Sequence, residues 1–276
     1  MPDDFLKRID WHRPWLAPLQ PAAELVLQAP SWRDGLNQQA AARLLGNHLS
    51  LPIQFVPQSA LPEGMAYESF ISATGCVPTR DNLHDFFNAL VWLTFPRIKV
   101  VLNELQAAEI TRRALSVTEQ AGHAQHIQQA RQTRGRVRDA ATIFDENAVL
   151  FLTSQPFFSS LLRDHRWNEL FIEQRKQFNG KCAAYLFGHA LLEKLVEPYK
   201  AITGHTWIIE VSEDILALPD AARREWLDRT VAGQLKDGLS TSDFSHLPVL
   251  GVPGWWPAQD EAFYADSSVF RPAKKK

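Results

Sequence analysis

The chain has 276 residues, 45% of them apolar and 22% charged, with a formal net charge of −2. That is enough apolar material for a sizeable core, and too little net positive charge for a general affinity for nucleic acid or anionic membranes. Two cysteines give neither a disulfide framework nor a zinc-ligand spacing, and no apolar run is long enough to span a bilayer. The acidic N-terminus, MPDDFLKRID, lacks the apolar stretch of a secretory signal, so the cytoplasm is the expected compartment.

Residues 1–62 are rich in proline and tryptophan. One helix is expected at about 32–49, with Leu36, Ala40, Leu44 and Leu45 on its apolar side, and a strand at 51–57, where Ile53, Phe55 and Val56 are strand formers. Residues 67–74 alternate weakly, and 75–79 read as a loop.

The stretch 79–106 organises the chain. Leu83, Phe86, Phe87, Leu90 and Val91 recur at helical spacing, Asn82 is a good N-cap, and Asp85 suits the first turn. Pro96 stops this helix and starts a second, to about Ile110. His84, Asp85 and Asn88 share one stripe of the first helix; Lys99, Asn103 and Gln106 form a stripe on the second. The two stripes are expected to converge across the Phe95-Pro96 corner and line a polar pocket, although caps and solvated faces would explain them equally.

Residues 111–134 are polar and glutamine-rich. His123 and His126 have a helical metal spacing but no nearby carboxylate, which favours a surface helix. After the basic run Arg134 to Arg138 and Asp139, residues 141–153 read as strand, turn, strand, with Asp145, Glu146 and Asn147 in the turn. Ala148 then stands where a tight turn would prefer Gly. Residues 159–171 are expected to be helical and 181–187 a buried strand. Gly188 and His189 follow, then a helix over 190–196 ended by Pro198. His189 would sit at a strand end and a helix N-terminus, which favours a neutral imidazole, with Glu193 one turn on. A strand over 203–211, an amphipathic helix over 218–236 and a Pro- and Gly-rich strap over 245–276 complete the chain. In the strap, Asp266 and Arg271 would pair or cover the pocket. The expected fold is one α+β domain, with α/β as the alternative, built on a mixed sheet of four to five strands.

The run Pro78 to Trp92, the Phe95-Pro96 corner with Lys99, Leu102 and Asn103, the stretch Arg138-Asp139 to Asn147, the run Phe187 to Lys194, and the terminal Gly251 to Trp255 with Phe263, Tyr264, Phe270, Arg271 and Pro272 stand out together. In these the chain resembles an uncharacterised family of mainly proteobacterial, cytosolic proteins, known as a domain of unknown function. The resemblance implies a bacterial origin and brings no activity, cofactor or mechanism. The family pattern has Gly at position 148, so Ala148 departs from it.

No GxGxxG after a strand, GxxxxGK[ST], HExxH or GxSxG is present, which argues against the common dinucleotide, P-loop, zinc-protease and α/β-hydrolase classes. Two readings remain. In the first the protein is an enzyme, with His84, Asp85, Asn88, Asp139, His189 and Glu193 as the reactive set. Lys99, Asn103, Arg136, Arg138 and Lys194 would hold a small anionic substrate for hydrolysis. A divalent metal on His84, His189, Asp145 and Glu146 would assist. In the second it is a binding or adaptor protein that uses its aromatic surface. The first requires His84 and His189 to meet at a common hollow.

Overall fold

The computed structural model describes residues 4–118 and 137–273. Its centre is a four-stranded mixed sheet in the order β4-β3-β5-β6, formed by β3 (Ala148–Thr153), β4 (Cys182–Leu186), β5 (Thr203–Glu210) and β6 (Ser245–Pro248). β3 runs parallel to β5 and antiparallel to β4, and β5 is antiparallel to β6. Every residue of β3 is buried, which its unbroken run Ala-Val-Leu-Phe-Leu-Thr requires of a strand covered on both faces. A separate parallel pair, β1 (Gln54–Pro57) and β2 (Cys76–Thr79), lies beside the helices. The α+β class and the small mixed sheet are therefore as expected.

The central helices form as their sequence dictates. The first spans Leu83–Thr94, and the Asn82 side chain accepts from the Asp85 amide at 2.8 Å. Pro96 opens the second, which continues past the expected end to Thr118. At that corner the Asp228 carboxylate, from the helix Asp220–Asp237, accepts from the amides of Arg97 and Ile98 and satisfies two free donors of the new helix.

Several local expectations are corrected. Residues 141–147 are not strand and turn: residues 137–147 are helical and feed β3 directly. Ala148 is the first strand residue, without positive φ, so the turn cost does not arise. Tyr67–Thr74 is a helix closed by Gly75 at φ 75°, a left-handed C-terminal cap, and the expected loop after it is β2. The first expected helix stops at Ala42; Leu44 lies beyond it at φ 52° and is 90% exposed, not on an apolar face. Residues 159–171 divide between a helix Pro156–Arg163 and a π-helical turn Glu169–Glu173. In the C-terminal strap, Tyr264 Oη donates to the Gly251 carbonyl and Trp167 Nε1 to the Arg271 carbonyl. Asp266 pairs with Lys200, and Arg271 Nε donates to Ser268 O, so those two side chains neither pair nor reach the site described below. His123, His126 and Arg136 lie outside the described residues.

This architecture brings two chain segments to one edge. β3 and β4 are antiparallel, with Val149 opposite Leu186. The residue just before β3 and the residues just after β4 are therefore side by side. Asp145 precedes β3 and His189 follows β4, so the sheet register alone makes them neighbours. The helix Leu83–Thr94 packs across the short helix His189–Lys194 and adds His84.

Candidate functional site

Two imidazoles meet at the wall of a cavity. His84 Nε2 lies 3.1 Å from His189 Nε2, with the rings edge to face at 81°. Behind the first ring, His84 Nδ1 is 3.0 Å from Glu193 Oε2. Behind the second, His189 Nδ1 faces Asp145 Oδ2 at 3.7 Å, inside ion-pair range but too long for a hydrogen bond. Each Nδ1 thus looks at a carboxylate, and a carboxylate accepts only, so each Nδ1 carries the ring proton. The two Nε2 atoms, neither then carrying a proton, lie against one another across rings whose centroids are 4.5 Å apart. A contact of 3.1 Å between them is favourable when one proton, or another cation, sits between the rings.

The close approach depends on Gly188. A Cβ there would fall 2.5 Å from the Asn147 Cα and N and from the Glu146 carbonyl oxygen. The amides of Phe187 and Gly188 both donate to Ala148 O, which ties the end of β4 to the start of β3. The sequence Phe-Gly-His is therefore the tightest passage at this edge, and it delivers His189 at a fixed position.

Burial sets the electrostatics. His189 is 6% exposed, and burial pushes its pKa down to about 4, with Lys99 and His84 adding to the effect and Asp145 opposing it. Asp145 itself would be raised by burial, but Lys99, His189 and His84 outweigh that and hold it below the usual carboxylate range. Lys99 Nζ donates to Asp145 Oδ1 at 2.5 Å and to Asn88 Oδ1 at 2.8 Å, and Asn88 Nδ2 donates to Tyr67 Oη at 3.1 Å. This chain of partners runs from the histidine pair around the cavity wall. Burial raises the Tyr67 phenol well above its ordinary value, so it remains a donor. Burial, then Asp145, lifts Glu68 to about 7.

The cavity holds about 340 Å³, the low end of the range for ligand sites, and suits a small molecule. His84, Asp85, Asn88, Asp145, Glu146 and His189 all line it. Of these, Asp85 is committed elsewhere: it accepts from the Arg80 amide at 2.6 Å and from the Arg80 guanidinium at 3.0 and 3.1 Å, and so closes the first turn of its helix. Glu193 touches the site through His84 alone. Lys99 stands behind the wall.

Other residues expected at the site are not in it. On the helix 137–147, Thr142, Asp145 and Glu146 are three and four residues apart and share the cavity face. Asp139 is six residues from Asp145, which turns it to the exposed side. Lys194 follows Glu193 by one residue and points to solvent. Asn103 lies outside the cavity lining and turns its amide nitrogen to Glu68, with Nδ2 donating to Oε2 at 2.5 Å and to the Glu68 carbonyl at 3.0 Å. Arg138 is half-buried and acts on Glu68 through its charge, without lining the cavity. The metal set His84, His189, Asp145 and Glu146 does not assemble as four ligands, because the Lys99 ammonium occupies Asp145. Among the described residues, no group of three or more His, Cys, Asp or Glu side chains is arranged to hold a metal ion. Sequence reasoning missed Tyr67, Glu68 and Arg80. The signal for the first two was Gly75: a glycine that ends a helix would have turned 67–74 from a strand into a helix with Glu68 on it.

His189 supplies a test by pH. Its folded pKa, about 4, lies below the unfolded value of 6.5. Below pH 6.5 the unfolded chain binds a proton that the fold does not, so stability falls as pH drops from 6.5 towards 4. The expected loss from this residue reaches about 3 kcal/mol at full depth. Urea unfolding across that window should show this slope, and His189→Gln should flatten it. An unchanged slope in the variant would refute the buried neutral histidine.

Taken together, fold and site define an α+β protein with a paired-histidine polar cavity; among the described residues no helix is long and apolar enough to cross a membrane. The profile of a family described as protein of unknown function (DUF3025) matches residues 53–274, and the chain belongs to that family. The match contains both histidines and every cavity residue named above. No curated protein and no solved structure matches the chain.

Proposed function

We propose that the protein is an enzyme, a hydrolase that works on a small polar substrate in this cavity through the His84–His189 pair. The observation that carries the proposal is the opposition of the two Nε2 atoms at 3.1 Å, each ring backed by a carboxylate. Such a pair holds one proton between two bases. With the proton absent it draws one from an attacking water; with the proton present it returns it to the leaving group. Glu193 orients His84 and compensates its charge, as a third group does for the base in other hydrolytic sites. Glu68, with a pKa near 7, supplies a second group able to give or take a proton at neutral pH.

The anionic substrate expected from the sequence loses its support among the described residues. Lys99 is held by Asp145, Arg80 by Asp85, and Lys194 faces away. Cys182 is no competing nucleophile, since burial pushes its thiol up to about 12. Both cysteines are free thiols, which favours the reducing cytoplasm as the compartment.

One observation also favours a metal-assisted form of the same reaction. Two Nε2 atoms 3.1 Å apart, each on a ring whose other nitrogen faces a carboxylate, would form the inner half of a divalent-cation clasp. The decisive experiment joins both. The purified chain is assayed against panels of small esters, amides and phosphoesters, and its metal content is measured. His84→Ala and His189→Ala are expected to remain folded and lose about 10²- to 10⁴-fold in rate. Stoichiometric metal lost in both variants selects the metal-assisted form. Activity unaffected by either variant removes the proposal.

A further inference from the structure

The cavity wall contains polar groups beyond the two histidines. Tyr67, Glu68, Gln106 and Asp145 border both the cavity and a smaller void adjoining it, and so form its inner end. Gln106 is 7% exposed and lines the cavity, and its side chain is hydrogen-bonded to none of the described residues. Neither atom of this amide is sealed from the cavity, so it is open there to a ligand. Glu146 lines the same cavity, and its side chain likewise bonds to none of the described residues. Glu68 accepts one amide proton from Asn103 through Oε2, which leaves Oε1 for the cavity.

The charges are uneven in the same sense. Among the described residues that line the cavity, the Arg80 cation is cancelled by Asp85. Asp145 is cancelled by Lys99. The carboxylates of Glu68 and Glu146 remain: the charges of Lys99 and Arg138, both from outside the lining, reach the first, and neither carboxylate forms an ion pair among the described residues. Two carboxylates and a side-chain amide oxygen are three acceptors, the complement of a group that has several N–H donors and a positive charge.

We propose that the substrate carries a cationic nitrogen head, an ammonium or a guanidinium, which the carboxylates of Glu68 and Glu146 and the amide of Gln106 hold in the cavity. This rests on the cavity being the working site, as proposed above, and deepens that reading by fixing the substrate class. A cation there also explains how two carboxylates can share a small, partly enclosed space: it neutralises both at once.

The test uses the full chain and four probes with one tail: butylguanidinium, butylammonium, butyrate and butyl phosphate, titrated by ligand-observed NMR. Saturable binding is expected for one or both cations and not for the anions. Glu146→Gln should weaken it about tenfold, the effect of losing one charge-assisted bond, and Gln106→Leu should weaken it by a smaller factor. His84→Ala should bind the cation as the parent does, because it removes chemistry and not the acceptors. Cation binding that depends on Glu146 in a protein that hydrolyses nothing would support the head-group assignment while the hydrolase proposal fails. Binding of the anions in place of the cations, cation binding indifferent to both Glu146→Gln and Gln106→Leu, or no binding of any probe would overturn it.

Discussion

Gly188→Ala is expected to destabilise the protein by about 3 kcal/mol or more, at the upper end of what overpacking costs. The reason is not backbone conformation, for Gly188 has φ −59°, which any residue adopts. It is room. The added methyl would stand 2.5 Å from three backbone atoms, the Cα and N of Asn147 and the O of Glu146. A side chain could rotate away, whereas this stretch of backbone is fixed between a helix and the central strand. Relief requires parting β4 from β3 at the edge that seats His189 beside Asp145. The variant should therefore lose the 3.1 Å contact between the imidazoles, and activity with it, even where it still folds. Denaturant unfolding, read as a lower midpoint at unchanged slope, measures the stability term. Gly180→Ala is the control. That glycine is helical with nothing within 4 Å of the added carbon, so it should be neutral or stabilise by up to about 1 kcal/mol. Equal behaviour of the two variants would refute the steric argument.

What the sequence disclosed about this site follows from what each kind of signal contains. Helical spacing and capping are local, so the Asn82 cap, the Pro96 corner and the shared faces of Asn88 and Lys99 could be read directly. The meeting of His84 and His189 was legible only as what an enzyme would require, because no local pattern joins two residues 105 apart in the chain. The failures came where local chemistry has two readings. Asp145-Glu146-Asn147 is good turn material, yet here it ends a helix, since burial of Phe144 and Asp145 on one side of that helix outweighs turn propensity. Tyr67–Thr74 is too short for periodicity to choose between helix and strand, and Glu68 was lost with it. Asp139 and Lys194 were assigned by proximity in the chain. A helix rotates neighbours by about 100° per residue, so proximity in sequence does not decide which side of the wall a residue faces. Asn103 and Asp85 were placed near the right space, but Glu68 engages the Asn103 amide nitrogen and Arg80 the Asp85 carboxylate. No sequence pattern records that kind of prior engagement.

Lys99→Met should be the most damaging single change to a polar residue. The ammonium and Asp145 are 5% and 10% exposed and 2.5 Å apart. Removing one partner of a buried pair strands the other charge, at a cost of about 3–5 kcal/mol. The sign of the pH dependence tells this apart from lost packing. In the parent protein Asp145 has a lowered pKa, so its contribution is present above the unfolded value of 3.8 and lost as pH falls below it. Without Lys99, burial becomes the ruling influence and Asp145 titrates above 3.8 in the fold. Its contribution is then present at low pH and lost as pH rises from 3.8 upward. Urea unfolding from pH 4 to 8 should show the Lys99→Met variant closest to the parent at the acid end and furthest from it at neutrality. Adding Asp145→Asn should restore part of the loss at neutral pH, because no charge is then stranded. The same double variant should not recover hydrolysis, since His189 Nδ1 has lost the carboxylate that fixes its proton and leaves Nε2 facing His84. A Lys99→Met protein within about 0.5 kcal/mol of the parent at neutral pH, the range of ordinary surface changes, would mean that solvent reaches the pair. In that case the histidine behind it is not held neutral by a dry wall, and the acid–base proposal loses its physical basis.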